Sequence, residues 1–245
     1  MLEDFAMGYG QNRERVSRQL NPEHAPATSD QQPRGPAPNH PFSLLDPQRS
    51  WSLVTIYLRR IEWYTKTLHG PSFLAECEHL LSLGPDEAIR QARPAFLCCY
   101  FLVLCVALHL IEPAEASALG FTHEQASDLS STFFASATSL LWSSDWLRNP
   151  SLEFLQAVVL MGVYSYNVDN EADAHWSLLG SAIKVAQNLG LSRLGTESKT
   201  KQWPTAWKSF RKRETGRRVW WNLVTLDWSH AQARKWSLSL CVREP

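Results

Sequence analysis

The sequence predicts an all-α protein, a multi-helix domain behind a disordered N-terminal tail, and three observations carry that reading. Apolar residues recur at spacings of three and four over most of the chain beyond Pro47. No stretch alternates as a strand does, and neither an Asn-Gly hairpin nor a fixed-period repeat occurs. Hydrophobic residues make up 44% of the 245 positions and charged residues 20%, enough for a buried core.

Residues 1–46 stand apart. Seven of the 14 prolines fall within the first 47 positions, and all 11 tryptophans lie beyond residue 50. A segment such as QQPRGPAPNHP cannot bury enough apolar area to offset its ordering entropy, so it reads as a tail. From Pro47 on, Val54, Tyr57, Leu58, Ile61, Tyr64 and Leu68 form the stripe of a first helix, which Gly70-Pro71 is expected to end. Ser72 is placed to cap a second helix through Leu81. Pro94 opens the apolar run Ala95–Ile111, residues 123–147 follow as another helix, and Ser151 caps a deep one beginning at Leu152.

The next helix has Asn170 as its expected N-cap, with Glu171 and Asp173 in the first turn, where the dipole favours acids. Its apolar stripe is Trp176, Leu179, Ile183, Ala186 and Gly190, and its polar stripe is Asp173, Ser177, Ser181, Lys184 and Asn188. Gly190 fits a left-handed helix end. Trp207 to about Ala233 reads as a last long helix, weakened only by Gly216. Residues 47–236 therefore form the domain, and 237–245 a C-terminal tail.

Chemistry is sparse. Neither a P-loop, a G-x-S-x-G elbow nor an H-E-x-x-H occurs; His123-Glu124 starts like the last, but Ser127 stands where the second histidine belongs. Gly8-Tyr9-Gly10 follows no strand, and the Asp169, Glu171, Asp173 cluster lacks the glycine of a calcium loop. His175 and His230 read as packing or surface residues rather than catalysts. The five cysteines, with Cys98, Cys99 and Cys105 in one apolar run, suit neither a disulfide framework nor zinc, and read as buried thiols. No catalytic, cofactor or metal site is expected.

The start of the chain has no apolar h-region, and Pro150 spoils the Asn149 glycosylation triplet, so the chain reads as intracellular. The uncharged run Ala95–Ile111 is at the lower limit for a bilayer, but the other helices need a central partner, so it reads as a core helix rather than a membrane anchor. The formal net charge of zero argues against a surface built wholly for nucleic acid. Residues 208–218 nevertheless carry a net +5. Lys208, Arg211, Lys212 and Arg213 are read there as a solvated face or as a nuclear-import or phosphate-contact patch.

The same region holds the most specific pattern: Glu214-x-x-Arg217-Arg218-x-Trp220-Trp221, with Asp227 seven residues after Trp220. Upstream lie Leu68-His69-x-Pro71-Ser72-Phe73 and Pro150-Ser-Leu-Glu-x-x-Gln156. Between them comes Ala174-x-Trp176-x-x-x-Gly180-x-Ala182-x-x-x-Ala186-Gln187-x-Leu189-Gly190-Leu191. In this order, over roughly residues 50–236, these resemble the fungal-specific transcription factor domain, the all-helical regulatory region usually found downstream of a six-cysteine binuclear zinc cluster. The resemblance implies transcription regulation in the nucleus, through homo- or heterodimer and coactivator contacts or a small-molecule effector. DNA and zinc binding are family labels only, since the first 76 residues hold no cysteine, and DNA contact is expected to be indirect. No membrane partner is expected. Where the family carries Gly-Arg-Pro this chain has Lys235-Trp236-Ser237, and it stops at Pro245, as a naturally short regulator or a truncated product would. A helical small-molecule binder or biosynthetic enzyme is the rival reading.

Two physical expectations attach to the pattern. Gly180 and Ala182 should let a neighbouring helix approach closely, and Trp220 and Trp221 should bring buried apolar area. Glu214, Asp227, Arg217 and Arg218 should form a network locking the last helix to the domain.

Overall fold

The Asp46 side chain accepts a hydrogen bond from Arg49 N at 3.0 Å and caps α1 (Pro47–Arg60). The computed structural model describes residues 44–168, 172–197 and 200–233. The Pro-rich tail up to residue 43, the Asn170 cap with Asp169 and Glu171, the His230 side chain, and the Lys235–Pro245 segment lie outside the described residues. Ten α-helices follow one another among the described residues, with no strand.

Pro47, with φ preset for a first turn, starts α1 and buries Leu53, Val54 and Tyr57. The helix stops at Arg60, earlier than its apolar stripe suggests. A single turn, α2 (Glu62–Thr65), follows and closes at Lys66 in the left-handed region, φ 46°. The Glu62 carboxylate holds the break: it accepts from Leu68 N at 2.7 Å and from the Tyr57 hydroxyl at 2.9 Å. Leu68 is thereby buried while Tyr64, on the same stripe, is left exposed. Gly70 and Pro71 open α3 (Gly70–Ser82) rather than end α1, and the cap is His69, whose Nδ1 accepts from Ser72 N at 3.3 Å. Ser72 itself is inside the helix.

After α4 (Pro85–Gln91), α5 (Pro94–His109) buries every residue from Ala95 to Leu108. It is the axis of the domain, packed by α1, by α7 (His123–Ser143) and by α8 (Leu152–Ser165). Here the membrane alternative fails: the apolar run is covered by protein from Ala95 to Leu108, and no helix among the described residues is long and apolar enough to cross a membrane. The short α6 (Pro113–Ala118) leads to α7, whose start is a reciprocal capping box between Thr122 and Gln125. The helix ends at Ser143, before residue 147, because the chain turns left-handed at Asp145 and drives Trp146 into the core. Ser151 caps α8 through Phe154 N at 3.2 Å, as its position in the sequence predicts.

Four of the five cysteines are described, and all are buried free thiols. Cys98 donates to Ala137 O and Cys99 to Glu153 O, tying α5 to α7 and α8. Burial pushes the Cys77 and Cys105 thiols up to about 12, so they stay protonated.

α8 carries the second half of the domain. α9 (Ala172–Leu189) crosses it at Gly162, where an added Cβ would stand 2.9 Å from His175 Cε1. His175 is buried, and its Nε2 lies 3.0 Å from Val158 O, a packing role. α10 (Phe210–Ala233) packs on both α8 and α9.

Candidate functional site

Two neighbouring features gather part of what the sequence singles out: a cleft beside the first turns of α10, and a clamp built on Arg213 and Arg217 of the same helix.

The clamp starts where α9 ends. Gly190, at φ 83°, turns the chain left-handed, and Gly190 N donates to Gln187 O at 3.0 Å. A 3₁₀ turn (Leu191–Arg193) leads into a loop, and a second (Thr205–Trp207) leads into α10. Glu197, on that loop, receives both Arg213 (Nε at 3.1 Å and Nη2 at 2.5 Å) and Arg217 (Nη2 at 2.6 Å). Arg213 is only 6% exposed; its Nη1 also donates to Trp207 O and Lys208 O, at 2.8 and 2.7 Å, and its guanidinium lies 4.5 Å from the Trp203 ring centroid. Arg217 adds a bond to Gly195 O and an ion pair to Glu214 at 3.1 Å. The two guanidinium groups hold the Glu197 carboxyl down at about 2. Glu197, Trp203 and Trp207 carry no local spacing signal, because their partners lie across a loop.

The network expected at Glu214, Arg217, Arg218 and Asp227 is therefore centred elsewhere. Arg218 makes contacts within its own helix, to Glu214 O at 3.4 Å and Thr215 Oγ1 at 3.3 Å. Asp227 sits half-buried two turns further along, beside Tyr166. What ties that end down is Asn222, which donates to Thr65 O at 2.6 Å, and Tyr166, whose hydroxyl donates to Leu226 O at 3.1 Å. Of the tryptophan pair, Trp220 packs half-buried against the core, but Trp221 is 64% exposed. It shares an outward stripe with Phe210 and Trp228.

On α9, Trp176 packs half-buried against the core, while Gln187 is exposed and receives Lys184 Nζ at 3.5 Å. Gly180 does not do what the sequence suggests: it is exposed, with nothing within 4 Å of where a Cβ would stand. Close approach belongs to Gly216, where a Cβ would meet Leu194 Cδ1 and the Trp207 ring at 2.9 Å. The basic patch is also divided: Lys208, Arg211 and Lys212 are exposed, but Arg213 is the buried centre of the clamp.

The cleft has a volume of about 490 Å³. It lies where three motif segments meet: Leu68–Phe73, the start of α8 at Pro150–Gln156, and the start of α10. Gln156, buried, donates from Nε2 to Thr67 O at 2.6 Å and ties the first two together. Arg211 reaches across to donate to Ser72 Oγ at 2.8 Å, which in turn lies 2.9 Å from His69 Nδ1. Also lining the cleft, Arg93 pairs with Glu76 at 2.7 Å and Glu153 at 2.5 Å, which raises its already high pKa. Such a hollow can bind and orient a small molecule. Among the described residues no group of three or more His, Cys, Asp or Glu is placed to hold a metal ion.

Against known proteins, residues 54–232 match the fungal specific transcription factor domain. An uncharacterized transcriptional regulatory protein of Schizosaccharomyces pombe is 31% identical over 163 residues, 64% of this chain and 20% of its own. An aurofusarin cluster transcription factor of Gibberella zeae is 30% identical over 184 residues, 73% of this chain and 24% of its own. A C6 finger domain transcription factor of Aspergillus fumigatus is 26% identical over 243 residues, 89% of this chain and 31% of its own. The chain thus spans between a fifth and a third of the length of these relatives. No solved structure matches it.

Proposed function

Because the chain belongs to the fungal-specific transcription factor domain family, we propose that it is the helical regulatory part of a transcription regulator that acts in the nucleus, and is not an enzyme. The observation that carries this reading is spatial. Motif segments more than 130 residues apart in sequence, Leu68–Phe73 and the first turn of α10, line one cleft with Pro150–Gln156, as a built effector site would require. The two acids of that cleft, Glu76 and Glu153, are both engaged by Arg93, which suits binding better than general acid–base work. DNA contact is indirect in this reading. The exposed stripe Phe210, Trp221 and Trp228 supplies the surface for a dimer partner or coactivator, since large exposed aromatics on one helix face mark contact sites.

A reporter assay tests it. Fused to a foreign DNA-binding head, the chain is expected to change transcription from the matching promoter, and the fusion to collect in the nucleus. A silent reporter with a folded, nuclear fusion protein removes the reading.

A further inference from the structure

We propose that the cleft binds a small organic acid, a carboxylate on a flat apolar body, with the carboxylate seated between Arg211 and Lys212. This deepens the regulatory reading and rests on it for its biological sense, but it stands on the cleft's own chemistry. The volume of about 490 Å³ is that of a site for one small molecule. The floor is apolar and aromatic: Phe73, Phe96 and Trp207, each almost wholly buried, turn their remaining surface to the cleft beside Leu152. Flat rings fit against such a floor, because offset and edge-on ring contacts add to the area removed from water.

The charges are divided between the walls. Arg93 is held by Glu76 and Glu153, so that triad has a net charge of −1 and no cation to spare. The α10 wall is the reverse. Among the described residues no carboxylate lies within ion-pair distance of Arg211 or Lys212, in contrast to Arg213 next to them and Arg217 a turn further on, which share Glu197. Arg211 has five N–H donors and places one on Ser72 Oγ; that bond fixes the guanidinium at the mouth of the cleft with its fork available. Lys212 Nζ stands 5.3 Å from the Trp207 ring centroid, above the aromatic floor. An acid group there would gain charge-assisted hydrogen bonds from both cations while its body covers the rings. A cationic ligand would meet two like charges at the same wall.

Calorimetric titration of the full chain with 2-naphthoate and with its neutral counterpart 2-naphthamide tests the proposal. Naphthoate is expected to bind at least about tenfold more tightly than the amide, the worth of a charged hydrogen-bond pair. The double variant Arg211→Gln, Lys212→Gln should bring naphthoate to the amide's level while lowering Tm by no more than about 3 °C, since both side chains are exposed and their contacts with Ser72 and Trp207 are surface ones. Inorganic phosphate in tenfold excess should not displace naphthoate. Equal affinities, no binding of either compound, an indifferent double variant, or displacement by phosphate would each overturn the assignment. The reporter assay is a separate readout. A chain that drives the reporter but ignores naphthoate keeps its regulatory role and loses this site; a silent chain that still selects naphthoate does the opposite.

Discussion

Gly180, in the middle of α9, has no heavy atom within 4 Å of the place a Cβ would take, whereas Gly216, in the first half of α10, has the Leu194 methyl and the Trp207 ring at 2.9 Å. The outer face of α9 is solvent, and its polar residues Asp173, Ser177, Ser181, Lys184 and Asn188 all lie on it. The first half of α10 is pressed under its own preceding loop. Leu194 and Trp207 close over Gly216, and Glu197 reaches in to Arg213 and Arg217. One glycine is a weak point in a free helix face; the other is the space that lets a loop lie on a helix. The lesson is that the clamp around α10, rather than the small-residue pattern of α9, holds the last helix in place.

The contrast is broken most severely at Arg213. Arg213→Ala leaves the Trp207 and Lys208 carbonyls without their buried charged donor and Glu197 with Arg217 alone, a loss of about 3 kcal/mol. For a domain of this size that lowers Tm by roughly 6 °C or more in a thermal melt. A shift of under about 1 °C would mean that the clamp is ornamental. Gly216→Ala comes next. Overpacking against Trp207 costs about 1–3 kcal/mol, and the better helix propensity of alanine returns about 1, so Tm should fall by a few degrees. A rise would show that the loop yields freely.

Glu197 sharpens the comparison through pH. Its carboxyl is held at about 2 in the fold, below the usual 4.5, so its contribution is whole above pH 4.5 and is lost as pH falls toward 2. Glu197→Gln should flatten the Tm–pH curve between pH 4.5 and 2, with a smaller loss at neutral pH than Arg213→Ala causes. Parallel curves for the two proteins would exclude the pairing. The smallest effect is at Gly180. Gly180→Ala should raise stability by about 0.5–1 kcal/mol, because nothing is displaced and backbone freedom in the unfolded chain is reduced. A fall in Tm there would restore the close helix approach that its spacing suggests.

The sequence was legible where structure is local. Pro47, Pro94, Ser151 and Gly190 mark helix ends by their own stereochemistry, and each stands where the fold begins or ends a helix. The apolar run of α5 announces a central helix by having no polar face. Reading failed where a distant partner decides. The first helix breaks at Ile61 because Glu62 finds Tyr57 and Leu68 N, and no periodicity registers such a bond. In the candidate site, Arg211 and Lys212 were visible as charges, but not Ser72 as the contact of one, nor Trp207 as the floor beneath the other.

What the sequence by itself determined is an all-α domain, the identity of its central helix, and the motif segments that mark its family, because propensity, capping and hydrophobic period act over a few residues. Only the tertiary structure decided which arginine is buried, which glycine is crowded, and that Leu68–Phe73, Pro150–Gln156 and the start of α10 share one cleft. Those outcomes depend on side chains brought together from far along the chain, where burial and charge pairing, rather than local preference, set the energy.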